Sequence, residues 1–533
     1  MRGEYTMSAC RFARRDRVEQ RLGIYHDSGR TQGPKALNRP VTSGSKGMPP
    51  GESGMRTGRA KIDISTVLND LLTQVGRCVT LDHSTQAVVL RDQAALRARG
   101  IDVLVNAAVF GTQHERAAAR WLIWELGQVL GIRPASIHEL YMARGRGALP
   151  PTFTTPAMNI RIMSYDSMRA AIASVLKANV GAFIFEIARG EMIYSDQRPA
   201  EFTAVAVAAA IKEGFRGPLF IQGDHFQINA EKFEHAPDAE VASLHRLINE
   251  SLDAGFYNID IDTSTLVDLT KPVLDDQQHA NYDLCQAFSD YIRARQPAGV
   301  TVSLGGEIGE VGHRNSTVAE LRTFMNGYET HITRKPGLSK ISIQTGTSHG
   351  GTVLPDGSIA GVNIDFECLR ELSEAARDYG MGGAVQHGAS TLPESVFDKF
   401  VQAGAIEVHL ATALMQVVFD SMPKALNVDI TDWLFSHALS ERKAGDTDEQ
   451  FLHKTRKKAT GAFKRALWTM GEAERQKVRE ALMTRFDMLF THLGVNNTRG
   501  CVESTVHVPE IHKRLEDFAI QRFETDDTRA FAD

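Results

Sequence analysis

Between Pro156 and Lys424, short apolar runs of strand character alternate with segments of helical spacing, and this alternation constrains the fold more than any other feature of the chain. Strand candidates fall at 157–162, 181–188, 218–225, 257–262, 299–309, 340–349, 383–387 and 406–411. Helical patterns such as SMRAAIASVLKAN, FTAVAVAAAIKEG, EVASLHRLINESLDAG, DFECLRELSEAARDYG and LPESVFDKFVQAG follow most of them, and the last four close on glycine, as helix C-termini do. Strands alternating with helices imply parallel βαβ units. Eight of them in this span match an α/β fold of the (β/α)8 TIM barrel type, which takes roughly 250 residues. An open doubly wound sheet is the structural alternative, but its G-x-G-x-x-G fingerprint after the first strand is missing.

The chain has 533 residues, so residues 156–424 leave long flanks. Residues 1–59 carry twelve Lys and Arg against five acidic residues, and from Asp27 to Arg59 they are rich in Gly, Ser, Pro and Arg with no periodic apolar face. Such a segment buries too little surface to offset its ordering entropy, which predicts a disordered basic tail. It lacks the continuous apolar run of a secretory signal, and Met7, Met48 and Met55 leave open a later start. Residues 60–155 read as a small α/β module: IDISTVLNDLLTQVG and HERAAARWLIWELGQVLGI have helical spacing, and IDVLVNAAVF reads as a strand. Residues 425–533 read as a helical C-terminal extension with two long segments, DEQFLHKTRKKATGAFKRALWTM and EAERQKVREALMTRFDMLFTHLG. Thr447 and Gln450 have capping-box spacing before the first.

Composition narrows the class further. The net charge of -5 argues against a general nucleic-acid binder, and no run of eighteen uncharged apolar residues is present to span a membrane. The five cysteines, Cys10, Cys78, Cys285, Cys368 and Cys501, are scattered and form no CxxC, which disfavours a disulfide framework or a cysteine zinc site. A soluble cytoplasmic protein with no nucleic-acid or membrane partner is the expectation. The long terminal helices suit a homo-oligomer.

In a (β/α)8 barrel the C-terminal strand ends carry the chemistry. Here they would present Asp224 and His225 on the third strand, Asp262 on the fourth, Glu307 on the fifth, His349 on the sixth, His387 and Ser390 on the seventh, and His409 and Thr412 on the eighth. His225, His349 and His387 would supply three nitrogens to a divalent metal and leave positions open for substrate oxygens, the pattern of a catalytic site. Asp224 is either a proton shuttle beside that metal or a carboxylate that orients a histidine. Asp262 and Glu307 fit the orienting role equally, and for Glu307 the alternative is an additional or alternate metal ligand. The glycines of HGG (349–351) and HGAS (387–390) let backbone N–H groups approach an anion, with the Ser390 hydroxyl beside them.

Taken together, GDH at 223–225, IDTS at 261–264, GGEIG at 305–309, SHGG at 348–351, QHGAS at 386–390 and HLATAL at 409–414 resemble the class II, metal-dependent fructose-bisphosphate and tagatose-bisphosphate aldolases. The resemblance spans about Pro156 to Lys424 and keeps the family's motif order. It implies Zn2+, or another divalent metal, on His225, His349 and His387, with Glu307 near the metal and Asp262 in support. It implies Asp224 as the acid/base, and Gly350, Gly388, Ser390 and Thr412 around the phosphate of dihydroxyacetone phosphate. His409 stands where the family usually has Asn at a substrate contact, so the substrate can differ. The implied activity is reversible cleavage of a phosphorylated ketose such as fructose 1,6-bisphosphate, a lyase reaction of carbohydrate metabolism and glycolysis. The alternatives are a related enzyme for another sugar phosphate, or an aldolase-like scaffold subunit without catalysis. A class I aldolase would need a Schiff-base lysine at the mouth, whereas Lys340 begins its strand at the opposite end. Deleting residues 1–59 is expected to leave the thermal midpoint unchanged; a lowered midpoint in a melting experiment would show that the tail contributes to the fold.

Overall fold

The computed structural model describes residues 64–82, 84–85, 87–309, 314–346, 354 and 364–519, so the tail expected over 1–59 lies outside the described residues. Eight strands follow one another as β1 (Thr155–Asn159), β2 (Ile184–Ala188), β3 (Gly217–Gln227), β4 (Asn258–Asp262), β5 (Ser303–Glu307), β6 (Lys340–Ile343), β7 (Ala384–Gln386) and β8 (Glu407–Leu410). Each pairs in parallel with the next, and β8 pairs back onto β1, which closes the (β/α)8 barrel. Closure leaves no free edge for the pairing groups of the eight strands. The helices between them end where their sequences say: Pro199–Glu213 and Pro237–Ala254 begin on proline, and Gly214 and Gly255 cap them with φ of 83° and 94°.

Strand β3 is eleven residues long and has three partners. Its upper part pairs with β2 and β4, while Gly217–Phe220 pairs with a further parallel strand, Ile132–Ala135. That strand follows the buried helix Gln113–Leu130, which a capping box at Thr112 and Glu115 starts and left-handed Gly131 ends. Asn258, the first residue of β4, ties the junction: its Nδ2 donates to the carbonyls of Ala135 (3.1 Å) and Ile221 (2.9 Å), and its Oδ1 accepts from Ile137 N (2.8 Å). The segment read as a small module thus gives a strand to the barrel sheet, and the described residues from Ile64 onward form one compact unit.

Two local expectations are corrected. IDVLVNAAVF is the helix Ile101–Phe110, not a strand. Its buried residues Ile101, Leu104, Val105, Ala108 and Val109 recur at helical spacing, and this face outweighs the strand preference of Ile and Val. The first long C-terminal segment is broken into Asp448–Thr455, Ala459–Ala462 and Lys464–Trp468. Gly461 lies within the short middle helix, where a Cβ would lie 2.5 Å from the Tyr194 carbonyl oxygen, so the chain is pressed against the barrel there. The capping box of Thr447 and Gln450 is present, and the second segment is the single helix Glu472–His492.

That helix buries Val478, Leu482, Phe486 and Leu489, and it is tied to Ser164–Ala178 by Lys177–Asp487 (2.7 Å) and by the buried pair Arg479–Asp166. From its far side Arg485 Nη2 donates to the Ser390 carbonyl (3.0 Å). Among the described residues no helix is long and apolar enough to cross a membrane. Asn258→Ala orphans three buried backbone groups and is expected to cost about 3 kcal/mol, measured by urea unfolding; a variant as stable as the parent would show that the bridge contributes nothing.

Candidate active site

The geometry of the barrel mouth begins with an irregularity in β3. Gln222 and Gly223 pair with Asn258 and Ile259, but Phe226 and Gln227 pair with Ile261 and Asp262, so β3 carries one residue more than β4. Asp224 and His225 occupy this bulge, and His225 takes a φ of 40°. On a regular strand their side chains would point to opposite faces; the bulge turns both into the mouth. Gly223 is needed there, because a Cβ would sit 2.3 Å from the folded-back ring of Phe226. Left-handed backbone at a non-glycine residue costs on the order of 1–3 kcal/mol, and the contacts of the His225 ring offset it.

His225 reaches β4 and β5: its Nδ1 is 3.0 Å from Asp262 Oδ2 and 3.5 Å from Glu307 Oε2. Asp262 is itself held by Gln227 Nε2 (2.7 Å) and Ser264 Oγ (2.7 Å). His387, one residue past β7, lies over both neighbouring imidazoles, with ring centroids 4.3 Å from His225 and 4.1 Å from His409. Asp224 reaches the other way, to Asn159 Nδ2 of β1 (3.3 Å) and His409 Nδ1 of β8 (3.1 Å). His409 has its second nitrogen 2.7 Å from Glu407 Oε1, so both ring nitrogens face carboxylates.

Ligand atoms of His225, Glu307 and His387 lie within 4.8 Å of one another, as do those of Asp224, His387 and His409. Two imidazoles and a carboxylate are a fitting donor set for zinc or a similar divalent ion. His349 and Gly350 lie outside the described residues. Gly388 has a φ of 68°, and Ser390 Oγ accepts from Ala413 N (3.3 Å), which joins the loop after β7 to the first turn of helix Thr412–Ser421.

Charge in this mouth is strongly coupled. Burial raises the Asp224 carboxyl, but His225 and His409 outweigh it and hold the pKa well below the usual range. Burial disfavours the His225 imidazolium, yet Asp224 with Asp262 and Glu307 holds its pKa well above normal. Burial, then repulsion from Asp262, pushes Glu307 up to about 7.

Sequence reasoning missed the inner ring beneath these groups: Glu186, Gln222, Asp260 and Glu407, with Lys340 among them. Their signal was present as polar residues at alternate positions of apolar strands, in IFEIA, FIQG, NIDID and IEVHL. Lys340 does start its strand at the far end, but its Nζ extends into the barrel interior to Glu407, Asp260 and Gln222. Burial opposes its charge, and Asp260 and Glu407 outweigh burial and raise its pKa, so it is an ammonium and no amine nucleophile.

A closed (β/α)8 barrel with histidines and carboxylates from several strands at its C-terminal mouth has the architecture of a metal-dependent barrel enzyme. The chain belongs to the class II fructose-bisphosphate aldolase family, whose model matches residues 148–475. Among solved structures it is similar to the YdjI aldolase of Escherichia coli K12, at 13% identity over 68% of this chain and 98% of that one with a TM-score of 0.41. It is also similar to the fructose-bisphosphate aldolase of Campylobacter jejuni, at 14% identity over 68% and 94% with a TM-score of 0.38. No curated protein sequence matches it.

A metal on His225 and Glu307 must displace the protons these groups carry in the metal-free protein. Apparent zinc affinity is therefore expected to rise as the pH climbs through about 7, with proton release on binding. Calorimetry in buffers of different ionisation enthalpy checks this; a buffer-independent heat would remove both residues from the ligand set.

Proposed function

We propose that the protein is a zinc-dependent aldolase that reversibly cleaves a phosphorylated ketose, fructose 1,6-bisphosphate or a close relative, to dihydroxyacetone phosphate and an aldehyde. The observation that carries this reading is the Asp224 carboxylate, held by Asn159 and His409 at 3.3 and 3.1 Å beside the His225, Glu307 and His387 group. His225, His387 and Glu307, with His349 as the further ligand, would hold the ion; when bound, it supplies Lewis acidity to a ketone oxygen.

The chain's own residues do the rest. Asp224 accepts the proton of the hydroxyl on the carbon beyond the bond to be broken, and it returns that proton during condensation. A carboxylate held at one oxygen by Asn159 Nδ2 and at the other by His409 is set in position to accept that proton in cleavage. Asp262 accepts from His225 Nδ1, which sets the tautomer and makes Nε2 the basic nitrogen. Gly388, Ser390, Thr412 and Gly350 would surround the phosphate, with the N-terminus of the helix that Thr412 begins as a further source of N–H groups. Phosphate sites in this fold commonly lie near these last two strands.

His409 favours a second reading, in which the aldehyde or ketose differs from fructose 1,6-bisphosphate. Its ring nitrogens are engaged by Asp224 and Glu407, so a hydrogen bond from them to a sugar hydroxyl would compete with these contacts. Cleavage rates on fructose, tagatose and other sugar bisphosphates separate the two readings. Asp224→Ala is expected to lower kcat by about 10²- to 10⁴-fold while the metal stays bound, and chelation is expected to abolish cleavage in the parent. Unchanged turnover in the variant would assign the proton transfer elsewhere, and chelator-resistant cleavage would refute metal dependence.

A further inference from the structure

Below the mouth, polar side chains from five strands meet inside the barrel. Lys340 of β6 is fully buried; its Nζ donates to Glu407 Oε1 (2.5 Å) and Gln222 Oε1 (2.8 Å) and lies 2.9 Å from Asp260 Oδ1. Gln222 Nε2 in turn donates to Glu186 Oε2 and Glu407 Oε1, both at 2.8 Å. Room for this cluster depends on Gly305, where a Cβ would lie 2.3 Å from Asp260 Oδ1 and 3.0 Å from Lys340 Cε. Tyr141, from the segment before the barrel, donates its hydroxyl to Glu407 Oε2 at 2.5 Å.

Glu407 is where the cluster meets the mouth. Both of its oxygens are bound from below and from the side, and Oε1 also faces His409 Nε2 at 2.7 Å. The other nitrogen of that ring faces Asp224 Oδ1 at 3.1 Å, and Asp224 Oδ2 accepts from Asn159. An unbroken line of contacts therefore runs from Lys340 and Tyr141 through Glu407 and His409 to Asp224. A ring with an acceptor at each nitrogen cannot rotate without losing both bonds, and a carboxylate gripped at both oxygens has a set plane. Carboxylate, imidazole and reacting group in series is the general arrangement by which a third residue orients a proton-transfer pair.

We infer that Glu407 is a positioning residue for catalysis: anchored by Lys340 and Tyr141, it orients the His409 ring, which holds the Asp224 carboxylate in place for proton transfer. The inference rests on the aldolase reading, in which Asp224 moves the proton. The competing account is that Glu407 serves only as the counter-ion of a buried lysine. Removing one partner of a buried ion pair is strongly destabilising, whereas replacing both by neutral groups is often tolerated, and this difference separates the accounts.

Glu407→Gln alone leaves the Lys340 charge with Asp260 as its remaining carboxylate partner and is expected to lower the thermal midpoint. The paired variant Lys340→Met/Glu407→Gln is expected to recover it. If Glu407 positions Asp224, kcat for aldol cleavage falls about tenfold or more in both variants, with KM within about twofold and metal content per chain unchanged. Crystal structures of the variants then show the His409 ring turned and its contact to Asp224 broken. A paired variant with parental kcat, or one whose crystal structure keeps the contact between His409 and Asp224, overturns the inference. If the single variant does not fold, the paired one decides. If the parent cleaves no ketose phosphate, the aldolase reading falls, and the crystal structures still decide whether Glu407 holds His409.

Discussion

The extra residue of β3 between Gly223 and Phe226 shifts its register against β4 and turns two adjacent side chains into one mouth. Asp224 then faces β1 and β8, and His225 faces β4 and β5. Without the bulge, one of the two would point to the outside of the barrel. The strain at His225 persists because neighbours on both sides hold it: β2 and β4 pair with the strand around the bulge, and Ile132–Ala135 pairs with the stretch before it. A strand with three partners is well suited to carry an irregularity that one with two weakly paired edges would relax.

Below the bulge, electrostatics replaces the apolar packing usual in a barrel interior. Glu186, Asp224, Asp260 and Glu407 converge around Lys340 and His409, all buried. Moving one ion from water to such a place costs several kcal/mol, so an apolar filling would be the more stable choice. The cluster divides its carboxylates sharply. Burial acts to raise both Glu407 and Asp260, but Lys340 and His409 bring Glu407 down to about 2, whereas Asp260 stays up at about 6. Glu407 also makes the shortest of the carboxylate contacts to His409, 2.7 Å against 3.7 Å for Asp260, which makes it the firmer acceptor for the ring.

All eight strands were legible in the sequence because apolar runs bounded by glycine and helical segments carry the parallel-barrel pattern directly. That His225, Asp224, Glu307, His387 and Asp262 come together at the mouth was legible because the C-terminal strand ends of this fold all open there. The inner ring was not, since Glu186, Asp260 and Glu407 sit within strands, where attention to strand ends does not reach. Lys340 shows the limit most clearly. Its backbone lies at the far end of β6, as the sequence indicates, yet a four-carbon side chain carries its charge well into the barrel interior. The bulge at Asp224 has no local signature beyond Gly223, because it arises from register against β4, a relation between distant segments. IDVLVNAAVF was misread for the opposite reason: local strand preference was strong, and the packing that overrides it comes from helices on either side.

The segments flanking the barrel act on the same few elements. The strand Ile132–Ala135 braces β3, which carries the bulge, and Tyr141 shortly after it binds Glu407. At the other end of the chain, Arg485 grips the Ser390 carbonyl, and His492 faces Asp398 (3.0 Å) and Glu394 (3.1 Å) just beyond. Loops after strands are the most mobile parts of a barrel, and a site that must hold an anion and align a carbon–carbon bond loses rate steeply with small displacements. An extension that clamps the loop after β7 from outside, and another that stiffens β3 from its edge, each reduce that freedom where the candidate chemistry is placed. Among the described residues, the strand Ile132–Ala135 and the helix Glu472–His492 thus brace the barrel at β3 and at the loop after β7, the two places that carry most of the candidate site.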